Sequence, residues 1–176
     1  MKKLLLLRHA KSDRPAGLED FDRPLNAKGR RAAPKMAEAM LARDYIPDAV
    51  LVSPAQRTRE TWQLMAPILN ASGHKAEFVE EIYLASANRI LSVVRHLGPE
   101  AKAALIVGHN PGIEDIATRL ASDDQSFEGK TALEQLKRKY PTCALTVLAF
   151  AIKSWTDLSP GTGAIVEFLT PSSLED

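Results

Sequence analysis

The stretch that decides the fold lies at residues 1–12 and reads MKKLLLLRHAKS, four leucines followed directly by Arg8 and His9. Its apolar run is far shorter than the roughly 7–15 residues of the apolar region in a secretory signal peptide, so we expect no export. A short apolar run is typical of a strand buried in a parallel sheet. Open α/β sheets bind ligands beyond the carboxyl ends of such strands. The sequence therefore predicts a first strand that carries Arg8 and His9 to a binding edge.

The composition indicates one domain and argues against several classes of partner. The chain has 176 residues, and domains commonly have about 100–200, so we expect one domain over residues 1–176. Its 23 Lys and Arg residues nearly balance 22 Asp and Glu residues, which argues against a nucleic acid partner. No stretch approaches the roughly 18 apolar residues of a membrane span, so we expect no membrane partner. The single cysteine, Cys143, cannot form an internal disulfide, and we expect a cytoplasmic protein.

Apolar runs of strand length alternate with segments of helical periodicity. The runs are KLLLL, DAVLVS, KAEFV, AALIVG, CALTVLAFAI and AIVEFL. Helices are predicted after Asn26, which is a suitable N-cap, and near residues 55–69, 87–97, 112–120 and 133–140. This alternation predicts an α/β fold, a three-layer α/β/α sandwich around a mostly parallel sheet. Because turn-forming residues join the last two runs, we expect these runs to form an antiparallel hairpin at one edge.

Three of the apolar runs end in polar clusters, LLLLRHAKS, AVLVSPAQRTRET and ALIVGHNPG. Strand ends of one polarity lie along the same edge of a parallel sheet, so we expect Arg8, His9, Arg57 and His109 to converge. Two guanidinium groups and two imidazoles supply the donors that a doubly charged phosphoryl group needs, and an arginine can hold two of its oxygens at once. Ser53 and the backbone amides after Pro54 are predicted to add donors at a helix N-terminus. The pattern therefore predicts a phosphate-binding site.

The two histidines are predicted to have different roles. A neutral imidazole nitrogen can attack phosphorus when the other ring nitrogen keeps its proton on an acceptor. We assign that role to His9, which lies beside Arg8 at the tip of the first strand. His109 is predicted to donate to the phosphoryl oxygens in the transition state.

The proton donor for the leaving group is the least defined part of the pattern. Glu80 and Glu81 precede IYLAS, and Glu81 is our candidate acid; Asp20 and Asp22 are alternatives, and each is also interpretable as a surface residue. An alkoxide leaving group benefits from protonation, whereas the imidazole of phosphohistidine leaves as a neutral group if its distal nitrogen is protonated. An ill-defined acid therefore favours phosphohistidine or another labile phosphoryl compound as the substrate.

The polar clusters resemble the signature blocks of the histidine phosphatase superfamily, which has the phosphoglycerate-mutase-like fold. The similar blocks are RHAKS at residues 8–12, with Ala10 in place of the usual glycine, SPAQRTRET at 53–61 and GHNPG at 108–112. The segments DFDRPLNAKGRRAA and WTDLSPGTGAIVEFLTP are most similar to the short SixA-like phosphohistidine phosphatases. The resemblance implies that His9 is transiently phosphorylated and that Arg8, Arg57 and His109 bind the transferred group. It also implies that neither a metal nor an organic cofactor is needed.

The expected function is therefore a cofactor-independent phosphatase that acts on phosphohistidine in proteins, with a phosphorylated protein as its partner. A phosphomonoesterase of the same fold that acts on a small phosphorylated substrate is one alternative. A phosphate-binding module without turnover is another. Intact Arg8, His9, Arg57 and His109 favour an enzyme over the binding module.

Overall fold

A computed structural model describes residues 1–69 and 75–175, and within these ranges six strands form one sheet. The strands are β1 (Lys2–Arg8), β2 (Ala49–Val52), β3 (Glu77–Phe78), β4 (Ala103–Gly108), β5 (Leu145–Phe150) and β6 (Ala164–Leu169). The helices are α1 (Ala27–Ala42), α2 (Gln56–Leu69), α3 (Ala87–Arg95), α4 (Gly112–Leu120) and α5 (Phe127–Arg138). None of the helices in these ranges has the length and apolar character required to cross a membrane.

The sheet has the strand order β3-β2-β4-β1-β5-β6. Strands β3, β2, β4 and β1 are parallel to one another, whereas β5 is antiparallel to both β1 and β6. Arg8 at the end of β1 lies opposite Gly108 at the end of β4, and Val52 at the end of β2 lies opposite Val107. The predicted mostly parallel sheet with an antiparallel edge hairpin is confirmed, and the polar clusters after β1, β2 and β4 share one edge.

Strand β1 is buried on both of its faces, which explains its unbroken run of leucines. Leu4 and Leu6 belong to the core between the sheet and α3, α4 and α5, whereas Leu5 and Leu7 belong to the core beneath α1 and α2. All four side chains are fully buried, and burying a leucine contributes about 2 kcal/mol. Helices therefore cover both faces of the sheet, as the predicted three-layer sandwich requires.

Side-chain caps define where three helices begin. Asn26 accepts a hydrogen bond from the Gly29 amide at 2.9 Å, which confirms the predicted cap of α1. Ser86 caps α3 in the same way. Ser126 caps α5 by accepting from the Gly129 amide at 3.0 Å, so this helix begins at Phe127 and not near residue 133 as predicted. The prediction was wrong because Gly129 and Thr131 are weak helix formers, and the cap compensates for them.

Gly112, the first residue of α4, packs directly against the backbone of Ala85. A methyl group on Gly112 would overlap the carbonyl oxygen of Ala85, which cannot move away as a side chain can. We therefore expect Gly112→Ala to lower the free energy of unfolding by about 1–3 kcal/mol, measured by urea denaturation. Gly98→Ala is the matched control, because its methyl group meets only the carboxylate end of the Glu100 side chain. Equal stability of the two variants would contradict this close backbone contact.

Candidate active site

The structure brings Arg8, His9, Arg57 and His109 together at the carboxyl edge of the parallel strands. Arg8 ends β1, His9 follows it, Arg57 lies in the first turn of α2, and His109 follows β4. The ring centroids of His9 and His109 are 5.3 Å apart. His9, Arg57 and His109 are buried, with 7%, 2% and 3% of their surfaces exposed. These four residues span about a hundred positions of the chain, and the parallel pairing of β1, β2 and β4 brings the strand ends that precede them to one edge.

Hydrogen bonds fix the backbone of Arg8 and His9 from both sides. The His9 amide donates to the Gly108 carbonyl at 3.0 Å. On the other side, the Cys143 amide donates to the carbonyls of Arg8 and His9 at 3.1 and 2.9 Å. The Ala10 amide donates to the Thr61 hydroxyl at 3.0 Å and thereby ties the same turn to α2. The two functional side chains therefore project from a rigid part of the fold.

His9 has the protonation state that a nucleophile needs. Its Nδ1 lies 2.7 Å from the carbonyl oxygen of Ala10. A carbonyl oxygen only accepts, so Nδ1 carries the proton and Nε2 carries the lone pair. Burial, reinforced by the charges of Arg57 and Arg8, lowers the pKa of His9 to about 3, although the bond to Ala10 opposes the shift. His9 is therefore a neutral imidazole at physiological pH, with Nε2 free to attack.

His109 contacts Ser53, which sequence analysis had predicted to bind phosphate. The Nε2 atom of His109 lies 2.7 Å from the hydroxyl of the fully buried Ser53. The Ser53 hydroxyl oxygen accepts a long hydrogen bond from the Ala55 amide, and among the described residues its proton has no acceptor other than His109 Nε2. We therefore infer that the hydroxyl donates to that nitrogen. Burial, followed by the charges of His9 and Arg57, lowers the pKa of His109 to about 3. Neutral His109 then presents Nδ1–H as a donor.

Three buried nitrogen atoms of this site lack any partner. Arg8 Nη1 donates to the Tyr140 carbonyl at 2.8 Å, and Arg57 Nη1 donates to the Asp20 carbonyl at 2.7 Å. Arg8 Nε, Arg57 Nε and His109 Nδ1 are inaccessible to solvent and unbonded, and they are the only buried side-chain N or O atoms in this condition within the described residues. Leaving a buried donor unsatisfied costs about 1–3 kcal/mol. Three such donors in one site indicate a ligand rich in acceptor oxygens.

Asp20 anchors one wall of the site. Its carboxylate accepts hydrogen bonds from the Tyr83 hydroxyl, from Arg23 at 2.9 Å and from Arg57 at 3.1 Å. The bond from Tyr83, followed by those from Arg23 and Arg57, holds the pKa of Asp20 far below its usual range. Asp20 is therefore ionised and orients Arg57, and it is poorly suited to the acid role considered for it. Asp22 lies in the same short helical turn and is exposed.

Glu81, the predicted acid, lies apart from the four central residues. It is exposed and lines a surface groove with Leu51, Ser92 and His96, among others, and none of the four central residues lines that groove. Within the described residues it shares no hydrogen bond with them. Its role as a proton donor stays a prediction that this placement does not favour.

Sequence analysis missed Tyr83 and Tyr140 as parts of this site. The Tyr83 ring meets the edge of the His109 ring at a centroid distance of 5.5 Å and also packs against Phe21. Tyr140 contributes its carbonyl to Arg8 and, through its hydroxyl, bonds to the Leu6 carbonyl and to Thr146. Both residues lie outside the strand-end motifs. Tyr83 follows the candidate acid Glu81 by two positions, but no sequence signal marked either tyrosine itself as part of the site.

Comparisons with known proteins agree with this geometry. A model of the histidine phosphatase superfamily (branch 1) matches residues 4–87, which include Arg8, His9 and Arg57. An uncharacterised protein of Mycobacterium tuberculosis (strain ATCC 25618 / H37Rv) is 34% identical over 165 residues, 94% of this chain and 99% of the relative.

Two solved structures are similar to the chain over nearly its whole length. One, assigned as the phosphohistidine phosphatase SixA from Nakamurella multipartitia, has a TM-score of 0.82 and 27% identity, with coverage of 97% of this chain and 96% of the other. Another, assigned as SixA from Agrobacterium tumefaciens, has a TM-score of 0.77 and 30% identity, with coverage of 97% and 98%.

Without the Ser53 hydroxyl, we expect His109 to lose its preference for the tautomer that carries the proton on Nδ1. In Ser53→Ala, nothing donates to Nε2, so we expect ¹⁵N NMR of the ring to change from a single Nδ1–H form to a mixture. We also expect the affinity for inorganic phosphate to fall roughly fivefold, the loss of about one hydrogen bond. Thr58→Ala is the control, because the Thr58 hydroxyl supports the same turn through the Ser53 and Ala55 carbonyls without touching His109. An unchanged tautomer in Ser53→Ala would refute the assignment.

Proposed function

We propose that this chain, which belongs to the histidine phosphatase superfamily, is a phosphatase that forms a covalent phosphohistidine on His9 and acts on phosphohistidine in proteins. The observation that carries the proposal is the set of three unpartnered donors, Arg8 Nε, Arg57 Nε and His109 Nδ1, beside a histidine whose Nε2 lone pair is free. Three donors match the three non-bridging oxygens of a phosphoryl group. The similarity to the two structures assigned as SixA supports the same substrate class.

The first chemical step transfers the phosphoryl group to the enzyme. His9 Nε2 attacks phosphorus, and the bond from phosphorus to the substrate's imidazole nitrogen breaks. Its electron pair stays on that nitrogen, while the other nitrogen of the leaving ring keeps its proton, so a neutral imidazole departs. The Ala10 carbonyl holds the proton on His9 Nδ1 and stabilises the positive charge that develops on the ring.

The second step regenerates the enzyme. Water attacks phosphorus, and the electron pair of the bond between phosphorus and Nε2 returns to His9. The proton of the attacking water stays with the orthophosphate product or passes to solvent. In both steps the two guanidinium groups and His109 stabilise the charge on the equatorial oxygens, and removing one such donor typically costs about 10²–10³ in rate.

The positions of Asp20 and Glu81 support a labile substrate. Hydrogen bonds from Tyr83, Arg23 and Arg57 lower the pKa of Asp20, so its carboxylate is ionised and has no proton to donate. Glu81 lies in another groove. An alkyl ester would need a proton for its leaving oxygen, whereas phosphohistidine does not.

We place the activity in the cytoplasm, because Cys143 is a buried free thiol, which fits a reducing compartment.

Hydrolysis of a phosphohistidine peptide and of p-nitrophenyl phosphate, without added metal, tests the function. We expect wild-type protein to prefer the peptide, and His9→Ala to lose at least about 10³ in kcat/KM because it has no nucleophile. Mass spectrometry of acid-free quenched samples should show one phosphoryl group on the wild type and none on the variant. A preference for the ester would indicate the small-molecule phosphomonoesterase. Phosphate binding without turnover of either substrate would indicate the binding module.

Two further variants test whether a carboxylate donates a proton. We expect Asp20→Asn to lower kcat/KM for the phosphohistidine peptide by less than about tenfold, because a neutral amide orients Arg57 less firmly than the carboxylate does. We expect Glu81→Gln to leave kcat/KM unchanged. A general acid contributes typically about 10²–10⁴, so a loss of that size would identify the residue as the donor. Glu77→Gln, which changes another carboxylate of the groove that contains Glu81, is the control.

A further inference from the structure

A groove with five cationic side chains opens beside Arg8. It lies between the first turn of α1, the end of α5 and the end of β6, with a volume of about 660 Å³, within the roughly 300–1,000 Å³ of ligand sites. Its cations are Arg8, Lys11, Lys28, Arg138 and Lys139, and no Asp or Glu is among the described residues that line it. We call this surface the basic groove.

The cations of the basic groove have no carboxylate partner within the described part of the chain. The salt bridges found there are Arg23–Asp20, Arg43–Glu167 and Arg57–Asp20. The whole chain has a net charge of only +1, so five neighbouring cations are a local concentration and not a general excess. Unpaired like charges repel one another and attract a ligand of opposite charge. The groove is therefore suited to an anionic ligand.

Arg8 joins the basic groove to the phosphoryl site. Arg8 is one of the residues that line the groove, and its Nε is one of the three unpartnered donors. Lys11 lines the groove only two residues after the nucleophile His9. A phosphoryl group bound by Arg8 therefore lies next to the groove.

The basic surface extends beyond the groove along α1. Lys28, Arg31 and Lys35 line an adjoining cleft that also contains one acid, Glu175. The seven positions from Lys28 to Lys35 span about 10 Å of helix. Phe168 adds an apolar contact inside the groove. A surface of this length, open and partly apolar, fits a polypeptide segment better than a nucleotide-sized polyanion.

We propose that the basic groove and the adjoining face of α1 bind an acidic segment of the phosphorylated partner protein, close to its phosphohistidine. This inference rests on the proposed function and names the feature that the substrate must carry. Carboxylates of the segment pair with Lys28, Arg31, Arg138 and Lys139, and its apolar side chains contact Phe168. The charges accelerate encounter and orient the segment, whereas the chemistry stays with His9.

Two phosphohistidine peptides, one flanked by Glu and Asp and the other by Gln and Asn, test the proposal. We expect wild-type kcat/KM to be about tenfold higher for the acidic peptide, with the advantage lost at high salt. The double variant Lys28→Glu/Arg138→Glu should abolish or invert the preference and keep the turnover of p-nitrophenyl phosphate. Lys102→Glu/Lys153→Glu is the control, because it makes the same charge change at exposed positions next to the opposite edge of the sheet.

The outcomes separate this proposal from the proposed function. Equal hydrolysis of the two peptides, or equal effects of the two double variants, would overturn the groove assignment and leave the phosphatase standing. If no substrate is hydrolysed, fluorescence anisotropy with the unphosphorylated acidic peptide still tests the groove, and its binding must weaken in Lys28→Glu/Arg138→Glu alone. Groove-dependent binding of tripolyphosphate without binding of the acidic peptide would assign a small polyanion instead.

Discussion

The hydrogen-bonded register between β1 and β4 determines where the two histidines of the site lie. Arg8 is paired with Gly108, so His9 and His109, each the residue directly after its strand, lie side by side. A shift of one residue in this register would turn each leucine of β1 to the opposite face of the sheet, so that it would face the other core layer. Burial of Leu4, Leu5, Leu6 and Leu7 on both faces therefore fixes the geometry of the site as well as the fold.

The site contains buried hydrogen-bond donors without partners, and a ligand with acceptor oxygens can supply those partners. Two arginines and two histidines lie at the carboxyl edge, and three of their nitrogen atoms have no partner. Natural proteins seldom leave buried donors unsatisfied, because each costs about 1–3 kcal/mol. The hydrogen bonds that the site does make orient its side chains. Ala10 orients His9, Ser53 orients His109, Tyr140 orients Arg8 and Asp20 orients Arg57. The backbone or a neighbouring side chain thus aims each functional group, and its free nitrogen is left for the substrate.

Much of this arrangement could be predicted from the sequence, and the limits have a physical cause. The leucine run and the polar residues after it predicted β1, its burial and the convergence of the four side chains, because strand polarity dictates where ends meet. The contacts of Tyr83 with Asp20 and His109 were not predictable, since they join loops whose conformations follow no periodicity. The Ser53 hydroxyl was expected to contact the ligand. That expectation stays a prediction, and the folded geometry adds a contact that the sequence did not indicate, the hydrogen bond between Ser53 and His109.

Because of the antiparallel strand β5, the two sides of the site are lined by different kinds of residues. Because β5 runs opposite to β1, its amino end lies at the functional edge and brings Tyr140 and Cys143 against Arg8 and His9. The basic groove opens on that side, between α5, β6 and α1. The ionised Asp20 lies on the wall that Tyr83 and Arg57 form. This carboxylate is paired with Arg23 and Arg57, whereas the cations of the basic groove have no carboxylate partner among the described residues. The free positive charge near the site is therefore concentrated on the side of the reversed strand, and that side is where an anionic substrate is attracted.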